Sequence, residues 1–147
     1  MDMNGSEFII TSPESPNYNC IAWAANEDIR WWWPDPFGIY FWPRSIERRV
    51  TVDCFIDAYR TLGYEPCNNE VAEKGFDKVA LYVQSDGSPT HASRQLPNGM
   101  WTSKLGRWFD IKHPFVTQWE RIVCMPGNLS LDLRKYGRVE AFLKRPV

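Results

Sequence analysis

The sequence predicts an α+β domain, with helices first and an antiparallel meander after them. Three observations carry this. Val52, Phe55, Ile56, Tyr59 and Leu62 recur at helical spacing on one face. Lys78-Val79-Ala80-Leu81-Tyr82-Val83 is apolar on both strand faces, as an interior strand should be. Asn98-Gly99 then separates two strand-like runs, which is a strong hairpin signal. The 147 residues suit one domain with one core.

Residues 1–17 read as an irregular lead-in, because Ser12-Pro13-Glu14-Ser15-Pro16 favours extended backbone and cannot continue a helix. A first helix is expected from Asn19 or Cys20 to Asp28, with Asn19 as a cap and Ile21, Ala24 and Ala25 on its buried face. Residues 31–43 carry seven aromatics with Pro34, Pro36, Pro43 and Gly38. This composition excludes both a regular helix and a solvated linker, leaving an ordered aromatic loop over the core or over the mouth of a site.

Thr51 is a plausible cap and Gly63 a plausible stop for the second helix, over residues 51–62. Strands are expected at 78–83, 90–96 and 100–105, with a turn at Asp86-Gly87-Ser88-Pro89. Asp110 to Pro114 reads as a turn, and Val116–Cys124 as a short helix or strand. Arg138–Lys144 alternates and should be a final strand.

Net charge is −1, which gives no general pull toward nucleic acid or anionic membrane. Asp2, Asn4, Ser6 and Glu7 do not resemble the basic start of a secretory signal, so the expected compartment is the cytoplasm, with export by a dedicated machine left open. Cys20, Cys54, Cys67 and Cys124 form no C-x-x-C pair. Neither structural zinc nor a disulfide framework is indicated, a Cys54–Cys67 bridge lacks support, and no cofactor is expected. Asn128-Leu129-Ser130 matches a glycosylation sequon but reads as a turn without a secretory context.

Chemistry centres on Cys20. A thiol at a helix start sits in the positive end of the dipole, which favours the thiolate. Only two histidines could act as its base. His91 opens a strand, where the imidazole would be held rigidly; His113, in Lys112-His113-Pro114, reads as a surface or turn histidine and is the alternative base if the strand register differs. An imidazole needs an orienting partner. Ser103 lies twelve residues after His91, so the two share a strand face, and Asp110 is the alternative from the following loop.

The segment Tyr18-Asn19-Cys20-Ile21-Ala22-Trp23 resembles the nucleophile segment of papain-like thiol hydrolases, most closely the minimal NlpC-type peptidases and amidases. Residues 91–106, from His91-Ala92-Ser93-Arg94 through Trp101-Thr102-Ser103-Lys104 to Gly106, resemble that family's histidine hairpin. The resemblance implies N-terminal helices carrying the cysteine, packed on an antiparallel sheet of about four to five strands. It implies Cys20 as nucleophile and His91 as base, acting through an acyl-enzyme on a peptide or protein substrate. Ser103 stands where the family would carry His, Asn or Gln, and Asn19-Cys20-Ile21-Ala22 replaces its Asp-Cys-Ser-Gly. Oxyanion contacts would come from the Cys20 N–H with Asn19 or Tyr18, although an Asn19 that caps the helix is not free for this. Trp23, Trp32, Trp33 and Trp101 would line the substrate cleft. The competing reading is a non-catalytic binding module on the same fold, using the Trp31–Trp42 surface.

Overall fold

A computed structural model of the chain describes residues 9–105, 110–113, 122–123, 130–131 and 137–147. Its frame is a sheet of seven antiparallel strands in the order β1-β6-β5-β4-β3-β9-β2. In chain order these are β1 (Ile9–Ser12), β2 (Glu65–Cys67), β3 (Phe76–Val83), β4 (Pro89–Gln95), β5 (Trp101–Lys104), β6 (Asp110–His113) and β9 (Arg138–Pro146). The short strands β7 (Ile122–Val123) and β8 (Ser130–Leu131) pair with each other. The helices are α1 (Cys20–Ala24) and α2 (Val52–Arg60).

This corrects the expected α+β layout on four or five strands. The described chain is mainly antiparallel sheet, with two helices of five and nine residues. The extra strands lie where sequence signals are weakest. Residues 9–12, within the expected irregular lead-in, pair with β6. Asp110–His113, expected as a turn, is β6 itself, because pairing to β1 and β5 supplies the order its mixed composition lacks. Glu65-Pro66-Cys67 pairs with β9 at the sheet edge, where proline's missing N–H costs nothing.

Helix α1 ends four residues short of the expected Asp28, because Asn26 turns left-handed at φ 65°. Helix α2 follows its apolar stripe, capped by the Thr51 side chain on the Cys54 N–H. Cys54 and Cys67 are free thiols. Cys124 and the Asn128 side of the sequon lie outside the described residues, as does most of 116–124.

Strands β3, β4 and β9 divide the molecule into two buried layers. Both helices and the aromatic segment bury Ile21, Trp32, Trp42, Phe55 and Tyr59 against Val79, Leu81, Ala92 and Leu143 on one face. The other face buries Ala80, Tyr82, Trp101 and Ile111 beside His91, Ser93, Ser103 and His113. No helix among the described residues is long and apolar enough to cross a membrane.

Gly137 enters β9 with φ 88°, and an added Cβ would collide with the Val83 carbonyl. Gly99, in the β4–β5 turn, has φ 89° but open space, with its nearest neighbour Ala72 at 3.9 Å. In urea denaturation, Gly99→Ala should cost about 1–2 kcal/mol for backbone strain alone, and Gly137→Ala about 3 kcal/mol or more because collision is added. Equal costs would show that the close approach to β3 does not constrain the sheet.

Candidate active site

Asn19 sets the local geometry of the Cys20 segment. Its side-chain Oδ1 accepts the Ala22 N–H at 3.2 Å, which starts α1 at Cys20. The same oxygen accepts the Trp32 N–H at 3.1 Å, and Nδ2 donates to the Trp32 carbonyl at 2.7 Å. Asn19 is therefore the joint between helix and aromatic segment, and its polar atoms are committed to backbone. Tyr18, the other expected positioning group, donates its hydroxyl to Asp110 Oδ2 at 2.6 Å. Neither side chain is poised to hold an oxyanion.

The Cys20 side chain is buried. Burial pushes its thiol up to about 11, against the smaller stabilisation of the thiolate by the Ala92 backbone and by Lys104. This reverses the expected depression. Five residues sum only a weak dipole, and desolvation of a thiolate outweighs it.

Cys20 and His91 lie on opposite faces of the sheet. Neighbouring residues of an extended strand point to opposite sides. Ala92 packs in the layer that contains Cys20. His91 stands across from Tyr82 of β3, ring to ring at 5.1 Å, in the other layer. The expected Cys20–His91 pair is therefore not assembled.

His91 does meet Ser103, as their shared parity requires, with Nε2 and Oγ 3.1 Å apart. Ser103 Oγ also lies 2.8 Å from His113 Nε2 and 2.7 Å from Ser93 Oγ. His113 is thus no surface histidine: it is fully buried in β6. Ser93 gives its own proton to Tyr82, so the single Ser103 proton goes to Ser93 and both imidazoles present Nε2–H to Ser103. Ser93 in turn donates to the Tyr82 hydroxyl at 3.2 Å. The cluster is sealed, with Ser103 and His113 at 0% and His91 at 1% exposure. With Tyr82, its hydrogen bonds tie β3, β4, β5 and β6 together.

The four expected cleft tryptophans are structural walls. Trp32 and Trp101 are buried, the latter in the His91 layer. Trp23 donates Nε1–H to Thr102 Oγ1 at 2.9 Å, and Trp33 packs edge-on against Phe55 at 5.4 Å. Among the described residues, no three His, Cys, Asp or Glu side chains gather as metal ligands would.

Lys104, which acts on the Cys20 thiolate, is a charged neighbour that a histidine-based reading of the sequence does not reach, whereas Asp110 is the alternative orienting residue named above. Lys104 and Asp110 face each other across β5 and β6, on the Cys20 side. Lys104 donates to the Ser15 carbonyl at 2.9 Å and lies 4.9 Å from the Tyr18 ring centre. Burial lowers its pKa, partly offset by Asp110 and by Cys20. The parity that linked Ser103 to His91 also places Lys104 on the opposite face, so the signal was present. Asp110 is fully buried, and its Oδ1 has no hydrogen-bond partner among the described residues.

The chain belongs to the family described as "Domain of unknown function (DUF7689)", whose model matches residues 9–144. No curated protein and no solved structure matches it.

Asn19→Ala would strip partners from the Ala22 and Trp32 N–H groups and the Trp32 carbonyl. It should destabilise the fold by about 2–4 kcal/mol in urea denaturation; a loss under about 0.5 kcal/mol would mean the joint is dispensable. Cys20 should react with iodoacetamide at pH 7.5 at least roughly tenfold more slowly than the half-exposed Cys67, accelerating only as pH approaches 11. Rapid Cys20 alkylation that His91→Gln abolishes would contradict this arrangement.

Proposed function

We propose that the chain is a non-catalytic interaction protein of the cytoplasm, which binds a protein partner through the aromatic segment between Trp31 and Trp42. The observation that carries this reading is how that segment is built. Trp32 and Trp42 anchor its two ends in the core. Between them the Asp35 carboxylate accepts the N–H groups of Phe37, Ile39 and Tyr40 at 3.2, 2.8 and 2.9 Å. Arg48 closes the loop from outside, donating to the Asp35 carbonyl at 3.0 Å and to the Tyr40 carbonyl at 2.9 Å.

The tip so held turns Phe37 and Ile39 outward, at 84% and 72% exposure. A loop whose only task was to cover the core would turn these side chains inward. Apolar side chains displayed on a pre-ordered backbone lose little entropy when they bind, which is what an interface anchor requires. Three of the four arginines within residues 27–50 are matched, with Arg30 on Glu27, Arg48 on Asp35 and Arg49 on Glu47. An almost neutral surround favours an apolar protein surface over nucleic acid or anionic lipid.

Burial works against the Asp35 charge, but the N–H groups of Tyr40 and Ile39, and then Arg48, hold its carboxyl below the ordinary range. A depressed carboxyl contributes stability above its unfolded value and loses it as pH falls through the folded one. The loop therefore keeps its form at neutral and mildly acidic pH and loosens only in stronger acid.

The reading implied by the papain-like resemblance, a cysteine hydrolase working through Cys20 and His91, makes the opposite demand. It needs an accessible thiolate beside an imidazole, and its support is the likeness of the two sequence segments together with the Ala92 backbone and Lys104 near the sulfur. The alkylation experiment above separates the two readings.

A photo-crosslinking amino acid at position 39 should give a discrete protein adduct in cell extract, and Phe37→Ser should cut its yield roughly tenfold or more. The same probe at Glu65, on the β2 edge, should give none. Circular dichroism and Tm of Phe37→Ser should match the parent chain within about 0.5 kcal/mol, since the side chain is exposed. Equal adducts at positions 39 and 65, or none at 39, would sink the interaction reading.

A further inference from the structure

At the far end of the helix-side layer, polar groups gather without enough partners. Asp77 and Arg145 stand opposite each other on β3 and β9. Arg94 of β4 stands opposite Val79, two residues along from Asp77, and so shares its face. Tyr64, just before β2, packs into the same layer, with the Arg145 guanidinium 4.7 Å from its ring centre. Trp23 of α1 lies over Arg94 at 5.6 Å.

Arg145 is held, donating to Asp77 Oδ2 at 3.4 Å and to the Leu62 carbonyl at 3.2 Å. Arg94 is not. Its hydrogen bonding to the described residues is one long contact, from Nε to the Trp23 carbonyl at 3.5 Å, and it forms no ion pair with them. A half-buried guanidinium whose terminal nitrogens meet no acceptor among the described residues is costly. The second anomaly is Tyr64. Its side chain is 0% exposed, and its hydroxyl has no hydrogen-bond partner among the described residues. Buried hydroxyls are rarely left so. Tyr64, Arg94, Arg145 and Asp77 all lie within electrostatic reach of one another.

We propose that Arg94, Arg145 and the Tyr64 hydroxyl form a binding site for a small organic carboxylate, beside the Trp23 and Tyr64 rings. The donors match the acceptor: the two terminal nitrogens of Arg94 can take a carboxylate's oxygens as a pair, Arg145 adds its remaining terminal nitrogen and its charge, and the phenol adds a further donor. Charge selects the class. Two guanidiniums against the Asp77 carboxylate leave one positive charge, which a carboxylate neutralises. A phosphate monoester carries close to two negative charges at neutral pH and would leave an excess beside Asp77. The two aromatic rings suit an organic remainder. The site is remote from Phe37 and Ile39 in sequence and does not depend on the aromatic loop.

The test uses the full chain, 15N-labelled, titrated with sodium acetate, sodium chloride and sodium phosphate at matched ionic strength. Acetate should shift the Arg94 and Arg145 Nε–Hε resonances with millimolar affinity and raise Tm, while chloride does neither and phosphate binds more weakly than acetate. The resonances are assigned by their loss in Arg94→Lys and Arg145→Lys. Tyr64→Phe removes one oxygen and supplies the decisive signs: Tm without acetate should rise, because a buried orphan is gone, while acetate affinity falls roughly tenfold. Acetate indistinguishable from chloride would overturn the site, and phosphate binding more tightly would overturn its ligand class. A Tyr64→Phe chain that loses Tm and keeps its acetate affinity would assign the hydroxyl a purely structural role and overturn the proposal.

Discussion

The alternation of β4, buried on both faces, is the constraint on which the rest of the structure depends. His91, Ser93 and Gln95 point one way; Ala92 and Arg94 point the other. A strand at a sheet edge can leave one side to solvent, but this one has covered layers on each side. Ala92 must be small and apolar because α1 lies on it. His91 and Ser93 can be polar here because Ser103 and Tyr82 supply hydrogen-bond partners, with His113 bonded to the same Ser103 hydroxyl. A slip of one residue would press His91 into the helix layer and strand the serine cluster without partners, so the register is fixed from both sides at once.

Irregular segments are ordered here by single side chains that bind backbone. Asn19 does this for the junction of α1 with the aromatic segment, and Asp35 for the loop tip. Both residues satisfy N–H groups that no helix or strand would reach, which lets a proline-rich stretch stay rigid without regular structure. The same economy limits chemistry. An Asn19 whose oxygen and nitrogen are spent on Ala22 and Trp32 can build a scaffold around Cys20, and for that reason it is not available to activate it.

Charge is distributed to match. Arg30, Arg48 and Arg49 near the loop each have an acidic neighbour within reach. Lys78, fully buried, is neutralised by Glu73 at 2.7 Å and held by Asn69. Lys104 and Asp110 share a buried environment beneath Tyr18. Against this pattern Arg94 stands out, since its half-buried charge lacks a paired carboxylate among the described residues and a fully buried hydroxyl lies near it. That arrangement costs stability, and the proposed carboxylate would supply the partners it lacks.

The sequence by itself determined the parts governed by local rules. Helix α2 follows from its apolar stripe and its Thr51 cap, the β4–β5 hairpin from Asn98-Gly99, and the Asn19 cap from its side-chain chemistry. The contact of His91 with Ser103 followed from counting parity. Local rules ran out where pairing came from distant chain. Strand β6 carries Asp, Ile, Lys and His in no telling order and becomes a strand because β1 and β5 flank it, so composition alone predicts a loop at His113 and a smaller sheet. Only the tertiary structure decided which side of the sheet α1 covers. Parity says which residues of a strand share a face but not which face a helix will occupy, and that one choice places Cys20 with Ala92 and Lys104 and leaves His91 on the other side.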